Sequence, residues 1–175
     1  MIPGAFAYHR PKSVSEAVAL LADHGAISTA LESLSGEDAA QRANALEVIE
    51  TTDGMIANAV LHLLSHPDQL ALVEADAGLL PNAIEESLRL EPAAAAVDRY
   101  ATADVVLGGA EIAAGDLVRI SITAANRDPA TVPDPDRFDP GRANARRHLA
   151  FAGGPHVCVG MHLARLEAHT ALELL

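Results

Sequence analysis

The lone cysteine, Cys158, lies in the stretch Phe151 to Gly160, read FAGGPHVCVG, and no other segment narrows the possible folds so far. Gly153 and Gly154 precede it, permitting backbone angles closed to other residues and a close approach of the chain to a ligand. A helical pattern follows. A helix beginning near Gly160 turns the amides of its first turn back toward Cys158, and those dipoles favour negative charge on the sulfur. A thiolate is a soft ligand for iron, and cysteine sulfur is among the known axial ligands of haem. By itself, however, a single cysteine is more often a small buried apolar residue.

The whole ten-residue string is more specific than its cysteine. With Phe151, Gly154, His156, Cys158 and Gly160 at these spacings, it resembles the cysteine loop of the cytochrome P450 family, the haem-thiolate monooxygenases. Ala152 stands where a second glycine is more usual. The resemblance implies haem b as cofactor, its iron held by Cys158, with Phe151, Gly154 and Gly160 shaping the loop. It also implies that His156 donates to a haem propionate.

Composition bounds the remaining possibilities. At 175 residues, half of them apolar, the chain can build one domain with a real core. Tryptophan is absent and aromatics are few, so that core must be largely Leu, Val, Ile and Ala. A net charge of −12 argues against nucleic acid as a partner. No apolar run reaches the roughly 18 residues of a membrane span. The N-terminus lacks a basic stretch followed by an apolar one, so no secretion signal is read there. One cysteine forms no intrachain disulfide, which fits a reducing compartment. The expectation is a cytoplasmic protein away from membranes.

Residues 1 to 25, MIPGAFAYHRPKSVSEAVALLADHG, read as a turn and one short amphipathic helix with Ser13 and Glu16 as a capping box. The segment also resembles the start of the FAD-binding subunit of molybdenum hydroxylases. The glycine-rich loop that would grip FAD is replaced by Ala26 to Leu34, so no FAD site is expected. Residues 1–34 are thus read as a segment foreign to the P450 family, and residues 35–175 as a partial P450 haem domain.

Ser35 opens a second helix, whose periodic pattern runs from about Ala39 to Leu64 and stops at Pro67. Inside it stands Glu50-Thr51-Thr52, and adjacent threonines are poor helix formers. An acid and two hydroxyls on a solvated face is the ordinary explanation. The run resembles the long distal helix of the P450 family, which implies that Glu50 and Thr51 relay protons to bound oxygen. The family usually carries Ala-Gly just before the acid, where this chain has Glu47 and Val48.

Pro67 to Ala75 reads as a short helix, as does Leu80 to Leu90, closed by Glu91-Pro92. Glu86 and Arg89, three apart, share a helix face. They read either as a surface ion pair of little worth or, by the P450 resemblance, as the buried E-x-x-R pair that shapes the cysteine-loop region. The resemblance makes Arg137 the third member of that cluster, with Arg142 competing for the place. Strands are expected at Ala96 to Ala101, Asp104 to Leu107 and Leu117 to Thr123, with a turn at Gly108-Gly109 and a short helical turn at Ala125 to Arg127. Arg99, in the first strand, either faces solvent or, by resemblance, meets a haem propionate, for which a guanidinium is well suited. The Pro- and Asp-rich run 128–142 is an irregular meander. His148 reads as a solvated residue, and Met161 onward as a helix.

The fold class expected is mainly α with a small β-sheet, the C-terminal half of the P450 fold truncated at both ends. The function expected is a haem-thiolate monooxygenase fragment. It would insert one oxygen atom of O2 into a small organic substrate, with electrons from a ferredoxin or similar donor. The alternative is a catalytically inactive haem-binding chain or a non-functional gene remnant.

Overall fold

The computed structural model describes residues 39–174, with side chains from residue 51 onward. The expectations for residues 1–34 and for the first turn after Ser35 lie outside this range. Helix α1 (Ala39–Ser65) ends two residues before Pro67. Helix α2 (Pro67–Ala75) starts on that proline, which lacks an N–H where the helix has no use for one. Asp76 then accepts the Gly78 amide at 2.9 Å and opens a 3-10 turn (Ala77–Leu79) that leads into α3 (Leu80–Leu90). The chain leaves α3 at Glu91, where Pro92 blocks further helix.

Four short strands follow. Strands β1 (Ala96–Tyr100) and β4 (Leu117–Ser121) pair antiparallel, with Arg99 opposite Val118. Between them β2 (Val105–Leu107) and β3 (Ala110–Ile112) form a hairpin whose turn, Gly108-Gly109, has φ of +58° and +85°. Two successive positive φ angles are what a two-residue hairpin turn of this twist demands, hence glycine at both places. The strand expected to run to Thr123 instead stops at Ser121. There the Ser121 hydroxyl accepts the Ala124 amide at 3.2 Å and caps helix α4 (Ile122–Asn126). Ile122 still continues the alternation of Val118 and Ile120, but it is buried as the first residue of a helix. The local cap outweighs the β-branched pattern.

The meander and the cysteine loop run from there to α5 (Met161–Leu172). The core lies where α1 packs on α3 and α5. Met55, Ala59 and Leu63, spaced four apart on α1, meet Ala83, Ile84 and Leu88 of α3 and Ala168 and Leu172 of α5. Burying each larger side chain of that set contributes roughly 1.5–3 kcal/mol. From the meander, Phe138 enters the same cluster, its ring 5.3 Å from both His62 and His66.

Helix α3 sits at the centre. Every residue from Ala83 to Leu90 is buried, including Glu85, Glu86, Ser87 and Arg89. Charges are tolerated there only with partners close by, and the partners come from every neighbouring element. Among the described residues no helix is long and apolar enough to cross a membrane.

Candidate functional site

The cysteine loop is a tight return held by its own backbone. Ala152 donates to Leu149 O at 2.8 Å, and Cys158 donates to Phe151 O at 2.9 Å. Between them a 3-10 turn (Gly154–His156) is closed by Val157 N–H to Gly154 O at 3.2 Å. Gly154 has φ +61°, and Ala152, the residue standing in a glycine's usual place, has φ +57°. The loop thus demands a left-handed angle at 152 whichever residue occupies it. Alanine meets the demand at a cost of roughly 1–2 kcal/mol. Gly160 caps α5 and lies beside the sulfur, 3.9 Å from the place its Cβ would occupy.

Cys158 is free and exposed. Its apolar neighbours are exposed with it, Val157 at 46% and Val159 at 99%. A Cβ added at Gly153 or Gly154 would meet nothing within 4 Å, so the space over the loop is open. An accessible thiol at the head of a helix, flanked by outward apolar side chains and unobstructed glycines, fits a flat apolar ligand that takes one axial sulfur. His156, exposed on the 3-10 turn, is the polar side chain nearest in sequence to the sulfur.

Behind the loop lies the first of two carboxylate clusters. Glu86 and Arg89 form a bidentate pair, 2.8 Å on both arms, with side chains 0% and 1% exposed. The surface-pair reading of these residues is therefore wrong. The third side chain is Arg142, whose Nε donates to Glu86 Oε1 at 2.7 Å. Arg137 was expected there and is not: its side chain is exposed, and only its carbonyl takes part, accepting from Arg89 and Arg142 at 3.1 and 3.0 Å. The two guanidiniums spend their remaining donors on the carbonyls of Asn126, Pro133, Asp134 and Pro135. The irregular meander is in this way fixed by its backbone acceptors.

The second cluster centres on Glu85, a residue the sequence reading passed over. Adjacent residues on a helix point about 100° apart, so Glu85 faces the cysteine loop while Glu86 faces the meander. His148 Nε2 lies 2.9 Å from Glu85 Oε2, and Arg165 of α5 donates to the two carboxylate oxygens at 2.6 and 3.0 Å. Burial raises the pKa of Glu85, but the hydrogen bonds from His148 and Arg165, with the Arg165 charge, outweigh it and hold the group at about 2. His148, expected to be solvated, is buried to 1% on its side chain. Phe151 sits against this cluster, under the Arg165 guanidinium at 4.6 Å and 5.9 Å from the His148 ring. Two consecutive glutamates inside an apolar helix were the available signal, since two buried acids need two sets of partners.

The remaining site candidates lie elsewhere on the frame. Thr51 is half-buried on α1, next to the buried Thr52. Glu50 lies in α1, but its side chain, like those of Glu47 and Val48, is outside the described residues. Arg99 is exposed on β1 and donates to the carbonyl of Asp98 at 2.7 Å. A cleft of about 220 Å³ opens beside Arg89, Asn126, Arg147 and His148. Neither Cys158 nor Thr51 lines it, so it is separate from the thiol.

The cytochrome P450 family model matches residues 75–175. The putative cytochrome P450 140 of Mycobacterium tuberculosis is 46% identical over 124 residues, 71% of this chain and 28% of that protein. The cytochrome P450 monooxygenase PikC of Streptomyces venezuelae is 50% identical over 127 residues, 72% of this chain and 30% of that protein. Among solved structures, P450BioI in complex with an acyl carrier protein ligated to hexadec-9Z-enoic acid superposes with a TM-score of 0.68 at 43% identity. That match covers 70% of this chain and 32% of the other. CYP109E1 from Bacillus megaterium gives a TM-score of 0.72 at 32% identity, over 75% and 34%. The chain thus spans about three tenths of the length of the curated relatives it matches. The resemblance of residues 1–25 to a flavoprotein subunit finds no support in these comparisons.

Proposed function

Because the chain belongs to the cytochrome P450 family, we propose that it carries the haem-binding part of a haem-thiolate monooxygenase, with Cys158 as the proximal ligand of haem b. The observation that carries this reading is the loop itself: an exposed free thiol tied back to Phe151 at the head of α5. Bound haem supplies the activation of dioxygen, and electron density from a thiolate ligand favours O–O cleavage. The chain's own part is to hold, orient and supply protons. Val157 and Val159, both exposed, would give apolar contact to the ring. His156 and Arg99 are the groups suited to its acidic arms, the arginine by its planar fork. Glu86, Arg89 and Arg142 fix the meander behind the loop and do no chemistry. In this reading Thr51, with Glu50, would relay protons from α1.

The substrate proposed is a small organic molecule, and the electron donor a ferredoxin or similar protein. Arg146 and Arg147, both exposed beside the loop, give an otherwise acidic chain a local basic face for an acidic donor. A reducing cytoplasm suits both the donor and the free thiol.

The test is optical. Purified protein supplied with haem, reduced and exposed to carbon monoxide, shows the strongly red-shifted Soret band of thiolate ligation, and Cys158→Ala abolishes it. A wild-type chain that takes up no haem, or a Cys158→Ala variant with an unchanged spectrum, sinks the reading. A second reading, haem binding without oxygen chemistry, rests on Glu47 and Val48 standing where the family carries Ala-Gly. It predicts the same band with no substrate-dependent consumption of reductant.

A further inference from the structure

Phe151 begins the loop and Cys158 closes it, joined by one backbone hydrogen bond of 2.9 Å. What holds Phe151 therefore holds the sulfur. The ring lies between two side chains from opposite sides of the loop. His148 precedes it by three residues, and Arg165 stands on the helix that follows. Both are bound to a single carboxylate, Glu85, that belongs to neither segment.

The bonds around His148 define its tautomer. Its Nδ1 accepts the Ala150 amide at 3.1 Å, so the proton sits on Nε2 and is donated to Glu85. The segment leading into the loop is thus pinned at two consecutive turns of backbone: Ala150 on the imidazole, and Ala152 on Leu149 O. On the far side, Arg165 uses Nε and Nη2 for Glu85 and presents its flat face to Phe151. A guanidinium fork held on a carboxylate has little rotational freedom left. The carboxylate sits on α3, buried at every residue from Ala83 to Leu90, so the reference point is rigid.

We propose that Glu85 is the positioning residue of the Cys158 loop, clamping His148 before it and Arg165 after it so that Phe151, and through it the sulfur, has one seat. This deepens the haem-thiolate reading and takes its functional meaning from it. Glu85 is bonded to His148 and Arg165 and not to the thiol. It acts at second hand, as the hydrogen-bond partners behind metal ligands generally do. It is distinct from the Glu86 cluster, which faces the meander and shares no hydrogen-bonding side chain with it.

The test uses Glu85→Gln in the full chain, because glutamine keeps the volume and one acceptor oxygen but turns an N–H₂ toward either His148 or Arg165. Amide hydrogen exchange reads the seat without haem. The Cys158 amide exchanges about tenfold faster or more in the variant, while the Ala59 amide in α1 keeps its rate. In haem-loaded protein the affinity for haem falls roughly ten- to a hundredfold. The red-shifted carbon monoxide band gives way to that of a neutral or displaced thiol. Asp98→Asn, which breaks an exposed ion pair with Arg119, leaves both readouts at wild-type values. If Glu85→Gln does not fold, Phe151→Leu carries the exchange test, since it removes the ring and keeps both side-chain partners of Glu85. Unchanged exchange at Cys158 in these variants overturns the clamp, whatever haem does. Faster exchange, in a protein whose wild type gives no thiolate band, upholds the clamp and overturns the haem reading instead.

Discussion

At the scale of single residues, backbone angle and partner count decide what each side chain is worth. Ala152 occupies a left-handed angle that glycine adopts freely. Ala152→Gly therefore relieves the strain, offset in part by the greater freedom glycine gives the unfolded chain. The net expectation is a gain of about 1 kcal/mol, read from the denaturant midpoint. Arg142 and Arg137 make a sharper comparison. Arg142→Leu strips one guanidinium from a buried carboxylate and should cost about 3–5 kcal/mol. Arg137→Ala removes an exposed side chain, keeps the carbonyl that is used, and should stay within about 0.5 kcal/mol of wild type. A large loss on Arg137→Ala would return that residue to the cluster. The resemblance pointed to an arginine in this stretch. Which arginine depends on how the meander folds between Asp134 and Arg142, and that path has no periodicity to read.

At the scale of elements, α3 and α5 carry buried acids with opposite consequences for stability. Glu85 is held at about 2, below its ordinary 4.5. Its contribution is fully present above the unfolded value and is lost as pH falls from about 4.5 toward 2. Unfolding midpoints measured down that range should drop steeply for wild type and less for Glu85→Gln. Glu167, on α5, is buried near Asp53 of α1 with Oε1 unpartnered among the described residues. Burial first, and the Asp53 charge second, push its pKa up. The folded state thus favours its protonated form, and its ionised form costs stability as pH rises above the unfolded value. Glu167→Gln should raise the midpoint at neutral pH, and a lowered midpoint would show that the carboxylate has a partner after all. The limits of α2, α3 and the β2–β3 turn were legible because prolines and paired glycines act locally. The start of α4 was not, since it turns on one serine hydroxyl accepting an amide at the end of a strand.

At the scale of the whole molecule, α3 is buried while other described elements leave apolar side chains bare. Leu61 and Leu64 on α1 are 60% and 68% exposed, and Leu72, Tyr100, Val106 and Leu107 are also exposed. An apolar surface of this kind drives association in water. The chain should self-associate with rising concentration, and Leu61→Lys with Leu64→Lys should shift sedimentation toward the monomer. A single monomeric boundary for the wild type at all concentrations would show that these side chains find cover within the chain.

The sequence alone determined the family, the thiol and the limits of α2 and α3, because each rests on residues close together in the chain. Spacing within ten residues defines the loop, and a proline or a pair of glycines acts on its own neighbours. Only the tertiary structure decided the distant partners of the two glutamates. Arg142, His148 and Arg165 lie 56, 63 and 80 residues from their acids. Burial turns those distant pairings into requirements, since a carboxylate out of water must find its cations wherever the fold brings them.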